Sequence, residues 1–153
     1  MADLGYNYRL TDFQCALGLT QLQKLPAWVL KRQKIAREYS KALAEIPAIM
    51  PLKALKDRKH SYHLYVIRLG REGLDSDRSV IFQSLRRNGI GVNVHYIPVH
   101  LQPFYREKFK TGLGLCSASE RVYEQILSLP IFPGMSKENI SEVVRGLKEA
   151  IGC

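Results

Sequence analysis

From Thr11 to Ile46 the apolar residues recur at helical intervals, and no strand pattern interrupts them. Thr11 followed by Gln14 is a capping-box signature, and Phe13, Ala16, Leu17, Leu22 and Leu25 continue as an apolar stripe. Pro26 marks a break and suits the first turn of a second helix. That helix carries Val29, Ile35, Tyr39, Leu43 and Ile46 on one side, with basic residues between them. The expectation is two helices with a stripe to bury and no sheet of their own to bury it against. Residues 1–25 are therefore expected to be poorly anchored, with Phe13, Leu17 and Leu22 either frayed or covered by another copy.

Pro47 and Pro51 close the helical stretch, and Lys53 to Lys59 reads as a polar loop. Ser61 to Leu69, rich in aromatic and β-branched residues, predicts a strand. A helix over Asp77 to Asn88 follows, with Val80, Ile81 and Leu85 inward and Gly89 as its stop. Gly91 to Tyr96 alternates with period two and predicts a second strand, and Ile97 to Phe109 a loop with one short helical turn. Ser117 with Glu120 reads as a capping box opening a helix to Leu127, and Leu127 to Phe132 as a strand. Ser136 caps a last helix whose face is Ile140, Val143, Val144, Leu147 and Ile151. From residue 61 onward this order predicts a small α+β unit, a short sheet covered on one side by helices.

Composition narrows the function classes. With 46% apolar and 24% charged residues the 153-residue chain reads as a folded domain rather than a disordered one. No apolar run approaches the roughly 18–20 residues of a membrane span, and no secretory signal pattern opens the chain, so a cytoplasmic protein without a membrane partner is expected. Three cysteines, Cys15, Cys116 and Cys153, have no paired spacing, and His60, His63, His95 and His100 have no zinc-like spacing, so neither a disulfide framework nor a metal site is expected. The net charge is +9, and ten of the 23 basic residues lie between Lys24 and Lys59 against three acids. Such a stripe opens one alternative, a free-standing basic α+β module for a nucleic acid or protein partner. The absence of interleaved aromatics or a nucleic-acid motif favours a solvated helix face instead.

Two short motifs carry chemistry. Gly5-Tyr6-Asn7-Tyr8-Arg9 ahead of a helix is either a turn or an anion site, in which an amide, a guanidinium and free helix N–H groups converge on a phosphate. His95-Tyr96-Ile97-Pro98 is either a strand end or a pocket wall. Read in order, Gly5 to Asp12, Gln14, Ala16, Gly18, Gln21-Leu22 and Leu25, then Arg32 to Tyr39, Gly89 to Gly91, Val94 to His100, Glu120 and Leu127 to Pro133 resemble the DegT/DnrJ/StrS-type family of PLP-dependent nucleotide-sugar aminotransferases. The resemblance covers essentially the whole chain. Among its branches the chain looks most like enzymes making 4-amino sugars on a UDP carrier, as in pseudaminic-acid synthesis.

The resemblance implies the small C-terminal domain of an aspartate-aminotransferase-type enzyme (PLP fold type I), preceded by two helices. It divides the chain into a dimer- and cofactor-facing segment 1–25, a connecting helix 26–50 and a small α+β domain 51–153. It implies pyridoxal 5'-phosphate as cofactor, a nucleotide-linked keto sugar and an amino donor, glutamate, as substrates, and a homodimer. Asn7 matches a residue at the cofactor phosphate of the neighbouring subunit, and Arg9 one in the same loop that holds either that phosphate or the loop itself; His95 and Tyr96 match residues that approach the sugar nucleotide, with His100 as a candidate further contact. No lysine here matches the family's cofactor-bearing lysine, so no catalytic residue is expected within the chain, and the chain alone is expected to be inactive.

Overall fold

The computed structural model describes Tyr6 and residues 8–70 and 76–152; Asn7 lies outside the described residues. Helix α1 runs unbroken from Asp12 to Leu43, 32 residues or about 48 Å at 1.5 Å per residue. The expected two helices are therefore one. Pro26 sits inside it, and the carbonyl that Pro26 leaves without an N–H partner belongs to Leu22, which is exposed, so water can take that carbonyl. The capping box forms as expected: Thr11 Oγ1 accepts from the Gln14 N–H at 3.3 Å, and Gln14 Oε1 accepts from the Thr11 N–H at 3.0 Å.

The two halves of α1 live in different environments. From Asp12 to Ala27 every residue is exposed, Phe13 to 82% and Leu22 to 62%. Beyond them Ile35, Ala36, Tyr39 and Leu43 are buried at helical spacing. This half is tied down at several points. Arg32 Nη1 donates to the carbonyls of Tyr62, His63 and Ile131 at 2.9–3.2 Å, so one guanidinium joins α1 to two loops. Tyr39 stacks on Tyr65 with ring centroids 4.9 Å apart and donates its hydroxyl to the Pro130 carbonyl at 2.9 Å. Burial raises the phenol of Tyr39 well above its ordinary range.

The sheet has three antiparallel strands in the order β1 (Ile49–Pro51), β2 (Tyr65–Leu69), β3 (Ile126–Leu129). β1 was not expected, because Pro47 and Pro51 read as breakers. A proline is tolerated on an edge strand, and Pro51 stands on one, opposite Ile67. β2 starts at Tyr65 rather than Ser61, and β3 is four residues, all buried. The expected strand over 91–96 is reduced to a single bridge, Asn93 with Ser128. The next pairs in that register would be 91 with 130 and 95 with 126. Pro130 has no N–H to give, and the Ile126 N–H is already donated to the Val122 carbonyl.

Helix α2 (Arg78–Arg87) buries Ile81 and Leu85, while Val80, expected inward, is 49% exposed because it stands one position off that i, i+4 line. Gly89 ends the helix at φ +77°, the left-handed backbone expected of it. A 3-10 turn (Val99–Leu101) and helix α3 (Pro103–Phe109) occupy the expected loop. Helix α4 spans Ser117–Gln125 and α5 spans Lys137–Ile151, the latter closed by the Ser136–Asn139 capping box. Residues of α1, α2 and α5 close over one face of the sheet, where Tyr65, Ile67, Leu69, Leu127 and Leu129 meet them. The α+β architecture is the expected one.

Leu147 is fully buried in this layer. Replacing it with alanine is expected to lower the unfolding free energy by about 2–5 kcal/mol, whereas Leu22→Ala stays within about 0.5 kcal/mol. Urea titration of both variants of this chain checks the contrast; equal losses would mean that the first half of α1 is packed after all.

Candidate functional site

A strand sends alternate side chains to opposite faces, and here that period separates core from site. Leu127 and Leu129 point into the helical layer, opposite Ile67 and Tyr65. Ser128 and Ile126 pair with Val66 and Arg68 on the other face. On that face Arg68 donates to Gln125 Oε1 at the end of α4, at 2.6 and 3.2 Å. Ser128 is only 4% exposed, the one buried polar residue among those described.

Ser128 holds the segment that carries the predicted pocket residues. Its backbone exchanges two hydrogen bonds with Asn93, 2.8 and 3.2 Å. Its Oγ lies 2.8 Å from His95 Nδ1. The Asn93 side chain accepts from the Val94 N–H at 2.8 Å, which occupies the donor on the outer side. His95 is half-buried; Tyr96, joined to it by a cis peptide, is 70% exposed, and the two rings meet edge to face at 4.6 Å. These two predicted residues stand together, one fixed and one open to solvent.

His100 has a different position. Its Nε2 is 2.8 Å from Glu120 Oε1, and the two side chains are 10% and 14% exposed. The same carboxylate accepts from the Gly114 N–H at 2.9 Å and the Cys116 N–H at 3.1 Å. Thr111 Oγ1 donates to the His100 carbonyl at 2.7 Å. Backbone N–H groups, the first of them Gly114, together with His100 hold the Glu120 carboxyl below its ordinary pKa of 4.5. An ionised carboxylate only accepts, so His100 carries its proton on Nε2 and spends it on this bond. The arrangement is a loop clasp built on Glu120. The expected Ser117–Glu120 capping box does not form, because α4 takes Cys116 as its N-cap, which makes Ser117 the first helical residue.

Arg9 is exposed and lies ahead of α1, separated from the small unit by the exposed stretch Asp12–Ala27, about 24 Å of helix. Sequence reasoning missed Ser128 and the clasp role of Glu120. A lone hydroxyl within Leu127-Ser128-Leu129 was the signal for the first. Arg32 had no signal of its own, since its three acceptors come from residues 30 to 99 positions away.

Pyridoxal phosphate has two ends to be held, a phosphate and an aldehyde. A guanidinium before a long helix suits its phosphate. Its aldehyde needs a lysine aimed from a shielded pocket, and among the described residues Lys148 is half-buried and every other lysine is exposed. The phosphate end thus has a guanidinium of suitable chemistry, and the aldehyde end has no buried lysine, among the described residues. Among the described residues no group of three or more His, Cys, Asp or Glu side chains is placed to hold a metal, and no helix is long and apolar enough to cross a membrane.

A short antiparallel sheet with a helical layer on one face, and a long lead-in helix, is the architecture of the C-terminal part of PLP fold-type I aminotransferases. The chain belongs to the DegT/DnrJ/EryC1/StrS aminotransferase family, whose sequence model matches residues 1–148. It is 32% identical over 148 residues to the spore coat polysaccharide biosynthesis protein SpsC of Bacillus subtilis, covering 96% of this chain and 38% of that protein. It is 34% identical to the uncharacterized protein MJ1066 of Methanocaldococcus jannaschii, over 97% of this chain and 39% of that one. Among solved structures it superposes on Helicobacter pylori PseC, an aminotransferase of pseudoaminic acid biosynthesis, with a TM-score of 0.87 at 30% identity, over 98% of this chain and 40% of that one. The chain spans about two fifths of the length of these relatives.

The clasp gives a pH signature. A carboxyl whose folded pKa is depressed contributes stability that is fully present above the ordinary value of 4.5 and is lost as pH falls through the lower folded value. Glu120→Gln is expected to lower the melting temperature at pH 7, with the gap to the wild type closing below that range. Melting curves across pH check it; a gap that is constant down to strongly acidic pH refutes the clasp.

Proposed function

We propose that this chain supplies the phosphate-holding loop and the sugar-facing surface of a PLP-dependent aminotransferase that acts on a nucleotide-linked keto sugar, in the building of amino sugars for surface polysaccharides. The observation that carries the reading is His95, locked to buried Ser128 on the sheet face away from the core, with Tyr96 open beside it, in a chain of sugar-aminotransferase kinship. Glutamate is the proposed amino donor, and the cytoplasm the proposed setting.

Pyridoxal phosphate, when bound, supplies the amine-carrying chemistry. This chain's residues bind and orient. Asn7 and Arg9 hold the cofactor phosphate of a neighbouring subunit, Asn7 by its amide and Arg9 by its charge. His95 and Tyr96 face the sugar nucleotide, and the basic surplus favours its diphosphate. His100 acts through Glu120, keeping the loop at 111–116 closed. The exposed stripe Phe13, Leu17 and Leu22 supports a division in which segment 1–25 packs on the partner or on a larger domain, 26–50 connects, and 51–153 forms the small domain. The lysine that anchors the cofactor lies outside this chain.

In the complete polypeptide, Asn7→Ala is expected to raise the Kd for pyridoxal phosphate about 10- to 150-fold, the worth of one charge-assisted hydrogen bond. Cofactor absorbance on dialysis reads it, and an unchanged Kd refutes the role. The 153-residue chain by itself, given pyridoxal phosphate and glutamate, is expected not to aminate a nucleotide-linked keto sugar; turnover would overturn the division of labour.

A further inference from the structure

We propose that Ser128 sets the tautomer of His95, so that His95 presents an Nε2–H donor, and not a base, to an oxygen atom of the ligand. The argument rests on counting hydrogen-bond partners. Ser128 Oγ is buried, and His95 Nδ1 at 2.8 Å is its partner. Among the described residues no carbonyl or carboxylate accepts from this hydroxyl, and no buried side-chain polar atom is left without a partner. If Nδ1 carried the proton, it would donate to Oγ and the hydroxyl hydrogen would have no acceptor among the described residues. If Nδ1 is bare, the hydroxyl donates to it and both groups are satisfied. The second arrangement is favoured by about five-fold or more, the equilibrium weight of an unmade buried hydrogen bond.

The proton then sits on Nε2. That nitrogen has no partner among the described residues, yet it is not a buried unsatisfied atom, so it reaches solvent. It cannot accept a hydrogen bond in this tautomer. The ligand atom it meets is an acceptor: a phosphate, hydroxyl or carbonyl oxygen. The two-point backbone bridge between Asn93 and Ser128 holds the main chain that carries the ring beside the Ser128 hydroxyl. Ser128 is thus a positioning residue, fixing the direction and the hydrogen-bonding sense of His95. The identity of the ligand as a sugar nucleotide rests on the function proposed above; the tautomer does not.

The test has two arms. In this chain with 15N-labelled histidines, at about pH 8.5, where imidazoles are neutral, His95 is expected to show a pyridine-type Nδ1 and a pyrrole-type Nε2. The signal is assigned by its loss in His95→Gln. Ser128→Ala should mix the two tautomers, and Ser128→Thr, which keeps the hydroxyl, should restore one. A wild-type His95 protonated on Nδ1, or a tautomer unmoved by Ser128→Ala, overturns the proposal. In the complete polypeptide, Ser128→Ala should weaken binding of UDP-N-acetylglucosamine about five-fold, with Ser128→Thr near the wild type. A shifted tautomer with unchanged binding would leave Ser128 in control of the ring and overturn the placing of His95 against the sugar nucleotide.

Discussion

Four residues of β3 hold both the core and the candidate site. Ile126 to Leu129 are buried on both faces, so a strand of minimal length serves two environments at once. Leu127 and Leu129 are committed to the helical layer, which fixes the register against β2, since a slip by one residue would turn both leucines outward. Ser128 is thereby forced to the opposite face, where its backbone binds Asn93 and its hydroxyl meets His95. The position of His95 is a consequence of where two leucines must go. The ladder stops after one bridge because Pro130 and the committed N–H of Ile126 deny it a second rung. That stop releases Tyr96 and the residues after it from the sheet.

The second organising element is α1, a rod with one end fixed. Its last turns are held by buried Ile35, Tyr39 and Leu43 and by the Arg32 side chain on three carbonyls. Its first sixteen residues touch solvent. Its apolar face is exposed among the described residues, and the hydrophobic effect favours covering such a face by roughly 25 cal/mol for each Å2 removed from water. Phe13, Leu17 and Leu22 are the large side chains that such covering would take out of water. The rod fixes Arg9 relative to the small unit only through its anchored half.

Much of this was legible from residue order. The capping boxes at Thr11 and Ser136, the left-handed Gly89, the inward faces of α2 and α5 at Ile81, Leu85 and Leu147, and the α+β class follow from local stereochemistry and hydrophobic period. His95 and Tyr96 were identified as a pair. The misreadings share one cause, a local rule decided by a distant partner. Pro26 reads as a break, but an exposed helix can leave one carbonyl to water. Pro51 reads as a stop, but an edge strand has an unpaired side to put it on. Gly91 to Tyr96 alternates as a strand should, but beyond Ser128 its neighbour had no N–H to give, Pro130 lacking one and that of Ile126 going to Val122. Glu120 reads as a cap, but a histidine twenty residues earlier and two backbone amides claimed it.

The sequence by itself determined the helix starts, the apolar faces and the family, because each is carried by residues near one another in the chain. The tertiary structure alone decided that Ser128 and His95 meet, that His100 is spent on a clasp, and that Arg32 staples α1 to two loops. Those contacts join residues 20 to 99 positions apart, and a hydrogen bond has no signature in a sequence until packing brings its two ends within 3 Å.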